Sequence, residues 1–124
     1  MGYFSGEAGS GYVRIERSDS LRSFEIAPGI TIRPLLGERL NINIVTLAPN
    51  AVAALHTHDE EQLGYVVAGS CDFTDGTTTT RLAAGDVYHA ASNAPHGATA
   101  HNDGCVIIDA FAPPRAGIRE LLDS

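Results

Sequence analysis

The sequence predicts an all-β fold, a sandwich or barrel of short strands, and three observations carry that expectation. Glycine and proline punctuate the chain densely, with 13 and 6 of them among 124 residues. The apolar runs between them are short and rich in β-branched residues. Helical periodicity is nearly absent. Many short strands separated by regular turn signals mean a sandwich or a barrel.

Taken in order, residues 1–12 (MGYFSGEAGSGY) read as a mobile glycine-rich tail, one that could pair with a neighbouring subunit. Strands are expected at ITIRPL (30–35), LNINIVTL (40–47), GYVVAG (64–69), TTTTRL (77–82), DVYHA (86–90) and CVIIDAF (105–111). Leu40-Asn41-Ile42-Asn43-Ile44 alternates with period two, the mark of a half-buried strand. Asp75-Gly76 signals a hairpin between CDF and TTTT. Only RAGIRELL (115–122), with Ile118, Leu121 and Leu122, suits a short terminal helical turn. A chain of this length suits one domain over 1–124, with no linker and no repeat.

Bulk properties exclude several function classes. A formal charge of −7 argues against a nucleic-acid binder, which normally carries a basic face, and gives no attraction to an anionic membrane. No apolar run approaches the ~20 residues of a spanning helix. The N-terminus lacks the charged start and apolar core of a signal peptide, and Gly6 stands where a myristoylation motif wants Ser or Thr. A cytoplasmic protein is therefore expected. Cys71 and Cys105 form no CxxC pair and read as buried thiols.

The chemistry concentrates in AVAALHTHDEEQLGY (51–65), where an apolar run ends in His56 and His58. At i, i+2 on a strand both imidazoles project from one face and can share a metal ion. Gln62 lies four residues past His58, ~13 Å away on a continuous strand and too far for the same ion. Asp59-Glu60-Glu61 is therefore read as a solvated turn that lets Gln62 swing back, its amide oxygen serving as a weak but legitimate ligand. The competing reading makes the histidines surface polar residues at a strand end.

A second block, GDVYHAASNAPHG (85–97), opens a strand with Gly85-Asp86 and closes a loop with Pro95-His96. Together the two blocks resemble the cupin family, whose first motif is matched by His56, His58, Gln62 and Gly69 and whose second by Gly85, Asp86, Pro95 and His96. Asn93 stands where glycine is usual, and asparagine tolerates left-handed backbone geometry. Ala91 replaces a usual proline, and Gln62 the commoner glutamate. The resemblance implies a single cupin barrel, a double-stranded β-helix or jelly roll, over about residues 28–115. It also implies one divalent metal (Zn, Ni, Fe or Mn) held by His56, His58, Gln62 and His96, and a homodimer. His101 is expected at the surface, His89 could face either way, and Tyr65 and Tyr88 read as packing aromatics.

A further signal lies in VIIDAFAPPR. Asp109 and Phe111 are i, i+2 on an otherwise apolar strand, with Arg115 just past two prolines. An aspartate there costs free energy unless paired or facing a polar cavity. Asp109 therefore either meets solvent on an edge strand or faces the barrel interior. With the histidines and Gln62, this pattern is similar to small cupins of the KdgF group, which act on 4,5-unsaturated monouronates and give the linear ketonised form. The resemblance places Asp109, Phe111 and Arg115 at the substrate: Arg115 gripping the carboxylate, Asp109 shuttling a proton, Phe111 walling the ring. Three alternatives stay open: a biosynthetic isomerase, cyclase or lyase, a metal-dependent dioxygenase, and a non-catalytic sugar-binding module. A neutral Gln62 in place of glutamate favours Lewis-acid over redox chemistry.

Overall fold

The computed structural model describes residues 2–7 and 11–124. Strands β1 (Gly2–Glu7) and β2 (Gly11–Glu16) pair antiparallel as a separate two-stranded sheet. The stretch read as a tail thus includes β1 and the start of β2, while residues 1 and 8–10 lie outside the described ones. The larger sheet holds β3 (Phe24–Ala27), β4 (Ile30–Leu36), β5 (Asn41–Leu47), β6 (Val52–His56), β7 (Glu61–Thr74), β8 (Thr79–Ala83), β9 (Val87–Ala90) and β10 (His96–Ala112). Its strand order is β3-β4-β5-β10-β7-β8, with β6 added to β10 and β9 to β7. A short α-helix, α1 (Ile118–Leu122), follows β10.

The two long strands organise everything else. β7 and β10 pair antiparallel from Gly97↔Thr74 at one end to Ala112↔Glu61 at the other. Each changes partners along its length: β10 pairs β6 near His96 and β5 beyond Cys105. β7 likewise pairs β9 near Gln62 and β8 beyond Ser70. A straight strand would put His96 and Asp109 roughly 43 Å apart, yet both line one cavity. The ribbon is therefore rolled until its ends meet. The bend sits at a register shift between Ala100 and Cys105, opposite Gly69. Gly69 has φ +73, and a Cβ there would collide with the Gly104 carbonyl oxygen, so only glycine fits.

The middle of the ribbon forms the apolar core, where Val66, Cys71, Ala98, Ala100, Cys105 and Ile107 pack with Ile30, Leu47 and Leu82. Both cysteines are free thiols in this core, as their isolation in sequence suggests. Strand β5 keeps the expected period of two but in inverted phase. Asn41 and Asn43 are buried, whereas Ile42 and Ile44 are only half-buried. The expected hairpin forms with a longer loop, Asp75 accepting N–H bonds from Thr77 and Thr78, so β8 starts at Thr79 rather than Thr77. Among the described residues no helix is long and apolar enough to cross a membrane.

A three-histidine centre and its surroundings

His56 is the last residue of β6, His58 follows in the loop, and His96 opens β10 opposite His56. The expected shared strand face for His56 and His58 is not how they meet, because the strand stops at His56. The loop brings them together instead, with ring centroids 5.4 Å apart, and His96 stands 4.4 Å from His56 and 4.9 Å from His58. Asn93 takes the left-handed geometry anticipated for it, φ 63, and donates its N–H to the His58 carbonyl at 2.8 Å, tying the two motif loops together. Asp86 closes the preceding turn by accepting the Ala83 N–H at 2.8 Å.

Each imidazole is oriented through Nδ1 by a backbone carbonyl: His56 by Ala54 at 2.8 Å, His58 by Glu60 at 3.0 Å, His96 by Ala94 at 2.9 Å. A carbonyl only accepts, so each Nδ1 carries a proton, which in the neutral tautomer leaves Nε2 bare. The three candidate ligand atoms lie within 4.8 Å of one another, close to the ~4.2 Å across a cation bound at ~2.1 Å. Gln62 Oε1 sits 2.9 Å from His58 Nε2 and 3.0 Å from His96 Nε2. Lone pairs thus face lone pairs. Burial, helped by the neighbouring His56 and His58, lowers the His96 pKa and disfavours an imidazolium that would relieve this. A donor set of three imidazoles and an amide oxygen, all acceptors at one point, fits a divalent cation.

Beside this centre, Asp109 faces inward and is 7% exposed, which settles its two readings in favour of the interior. Burial pushes its carboxyl up to about 6, against hydrogen bonds from Tyr88 and Gln62 that pull the other way. Phe111 is buried with its ring 5.7 Å from that of His58. Both residues line a cavity of about 540 Å³ with Arg115 and the histidines, and Ile118 of α1 lies at its wall.

Arg115 is fixed from two sides. Its backbone N–H donates to Asn41 Oδ1 at 2.7 Å, and its guanidinium lies 3.7 Å from Glu60 Oε2. Glu60 was expected in a solvated turn, and that is corrected: Asp59 and Glu61 are exposed, but Glu60 is 5% exposed. Its carboxylate accepts the Ala116 N–H and lies 3.3 Å from His58 Nδ1. Burial opposes ionisation, yet backbone N–H donation from Ala116 and its own amide, then Arg115 and His58, hold the Glu60 carboxyl below its usual range.

Tyr88 was read as a packing aromatic and is more than that. Its hydroxyl accepts from Gln62 Nε2 at 3.0 Å and donates to Asp109 Oδ1. The sequence signal available for it is Gly64, a glycine in mid-strand, where an added Cβ would overlap the Tyr88 ring. His89 faces out and pairs with Glu61 at 2.7 Å. His101 lies partly exposed between Ser70 and Asp72 at 2.8 Å from each. Tyr65 is exposed on the outer face.

The fold and this site define a cupin, and sequence comparison agrees: the cupin-domain profile matches residues 43–111, more than half of the chain. The chain belongs to the cupin family. Within it, the chain is 38% identical over 73 residues to the pectin degradation protein KdgF of Dickeya dadantii (strain 3937). That match covers 58% of this chain and 66% of the relative, a little under two thirds of its length. The solved structure of KdgF from Halomonas sp. is 30% identical, with a TM-score of 0.75 over 80% of this chain and 94% of that one. An RmlC-like cupin from Shewanella frigidimarina NCIMB 400, 24% identical, shares the fold with a TM-score of 0.76, covering 82% and 91% of the two chains.

Proposed function

We propose that this chain is a metal-dependent cytoplasmic enzyme that opens and ketonises a cyclic 4,5-unsaturated monouronate without net oxidation. The observation that carries the reading is the convergence of His56, His58, His96 and Gln62 Oε1 beside the buried Asp109. Similarity to a protein named for pectin degradation supplies the substrate class, since pectin is a polymer of uronic acids. His56, His58, Gln62 and His96 would hold a divalent ion, which when bound supplies Lewis-acid polarisation of a sugar oxygen.

The remaining work falls to side chains. Arg115 pairs with the uronate carboxylate through two parallel N–H bonds, offsetting the repulsion of a protein with charge −7. Phe111 gives the ring an apolar wall. Ring opening breaks the bond between the anomeric carbon and the ring oxygen: the anomeric carbon becomes an aldehyde as its hydroxyl gives up a proton, and the ring oxygen takes one up and becomes an enol hydroxyl. Asp109 receives a hydroxyl proton and delivers one to the adjacent carbon, giving the ketone. Such a positioned acid–base group contributes ~10²–10⁴-fold. No electron leaves the substrate, which suits a neutral amide ligand.

The proposal includes a homodimer. Leu63, Tyr65, Val67 and Val87 form an exposed apolar row on the outer face of β7 and β9 whose burial would favour pairing. Sedimentation reads that state.

The test is loss of the conjugated absorbance of an unsaturated monouronate with metal-loaded protein, beside Asp109→Ala. Rapid loss in wild type that disappears in the variant supports the reading. No turnover with any of Zn, Ni, Fe or Mn ends the substrate assignment. Oxygen uptake on turnover would move the chain to the dioxygenases.

A further inference from the structure

An amide ligand has an ambiguity that a carboxylate lacks. Its two ends are nearly equal in shape, but one offers lone pairs to a cation and the other offers protons that repel it. Something must therefore hold Gln62 the right way round. In this protein the amide is buried, 4% exposed, with Oε1 toward His58 and His96 and Nε2 donating to the Tyr88 hydroxyl.

Tyr88 has one proton to give, and it goes to Asp109. A carboxylate only accepts, so that proton stays committed. Toward Gln62 the phenol then shows only lone pairs, which take an N–H and reject an amide oxygen. Remove the hydroxyl, and the NH₂ keeps only its donation to Asp109, while the amide gains a good alternative. Turned around, its NH₂ would donate to the bare Nε2 atoms of His58 and His96, closing the centre with satisfied hydrogen bonds and no cation.

The barrel wall is shaped to keep this phenol in place. Asn43, Asp109, Gly64 and Tyr88 stand in register across β5, β10, β7 and β9. Gly64 leaves its place in that row empty, and the Tyr88 ring lies over it. Phe73 packs against the ring, centroids 4.4 Å apart. The aromatic is thus carried across one strand so that its oxygen reaches Asp109 on the next.

We propose that Tyr88 is a positioning residue that sets the orientation of the Gln62 amide, committing its oxygen to the metal through the relay Asp109–Tyr88–Gln62. This rests on the metal centre proposed above. It acts on the cation through a ligand, Gln62.

The experiment measures Zn(II) affinity by chelator competition in four proteins: wild type, Tyr88→Phe, Gln62→Glu and the double variant. Loss of the hydroxyl weakens binding by ~10–100-fold, the range for outer partners of metal ligands. In the Gln62→Glu background the same change costs less than about threefold, because a carboxylate presents an oxygen in either orientation and the two effects are coupled. A merely structural Tyr88 would cost the same in both backgrounds, and that result overturns the inference, as does Tyr88→Phe binding as tightly as wild type. Wild-type protein that binds no cation overturns the metal centre and this inference with it. Should Tyr88→Phe lower the melting temperature, Gly64→Ala, which displaces the ring while leaving the hydroxyl, is expected to reproduce the loss and its rescue by Gln62→Glu.

Discussion

The middle and the ends of the β7–β10 ribbon are made from the same two strands, yet they do opposite work. In the middle, inward positions carry Val66, Cys71, Ala98, Ala100, Cys105 and Ile107, a core that gains from leaving water. At the ends, inward positions carry Gln62, His96 and Asp109, whose burial costs free energy unless every polar atom finds a partner. The middle is held by packing and by a glycine bend. The ends are held by carbonyls aimed at each imidazole and by Tyr88, Glu60 and Asn41. The contrast teaches that the core closes the barrel, and that closure brings residues from the two ends of one ribbon to a common point.

The comparison breaks most completely at the bend. Gly69→Ala combines a left-handed backbone with a collision against Gly104. It should cost at least ~3 kcal/mol in urea unfolding, and the site should be lost with the fold.

Asp109→Asn separates the two regions. Turnover should fall by ~10² or more while the fold survives. The folded carboxyl, at about 6 against an ordinary 3.8, binds its proton more tightly than the unfolded one. Wild-type stability from this group therefore rises as pH falls from above 6 toward 3.8, and the ionised form is a burden above 6. Metal-stripped Asp109→Asn should then be the more stable protein at pH 7.5, by roughly 3 kcal/mol at most. Urea titrations should show that gap closing toward pH 4.

The smallest effect is expected in the exposed turn that follows β7. N–H donation from Thr78 and Thr77 holds the exposed Asp75 carboxyl below its usual range. Its contribution is present at neutral pH and lost as pH falls through that lowered value. Asp75→Ala should lower the melting temperature slightly at pH 7 and not at all in strong acid.

Much of this was legible in the sequence, for a physical reason. Strands and turns are local: Asp86 accepts the Ala83 N–H three residues back, Asn93 takes a left-handed turn geometry of its own, and His56 and His58 are two residues apart. Face and phase are not local. The alternation of Leu40 to Ile44 suggested a half-buried strand but gave no sign that its asparagines would point inward. Asn41 earns its burial by accepting the N–H of Arg115, 74 residues on. Glu60 looked like one of three solvated acids until the C-terminal segment brought it Ala116. Tyr88 could be told from an ordinary core aromatic only through Gly64, on another strand. The pairing of β2 with β1 was hidden by the glycines around it.

The central claim is that three imidazoles and one amide oxygen form a cation site. It is tested most directly by equilibrium dialysis against Zn, Ni, Fe and Mn, with metal content read by mass spectrometry for wild type and His96→Ala. A single divalent ion per chain in wild type, lost in the variant while the fold persists, is the predicted result. Wild-type protein that retains none of these ions, or a His96→Ala variant that keeps its ion unchanged, would contradict the account.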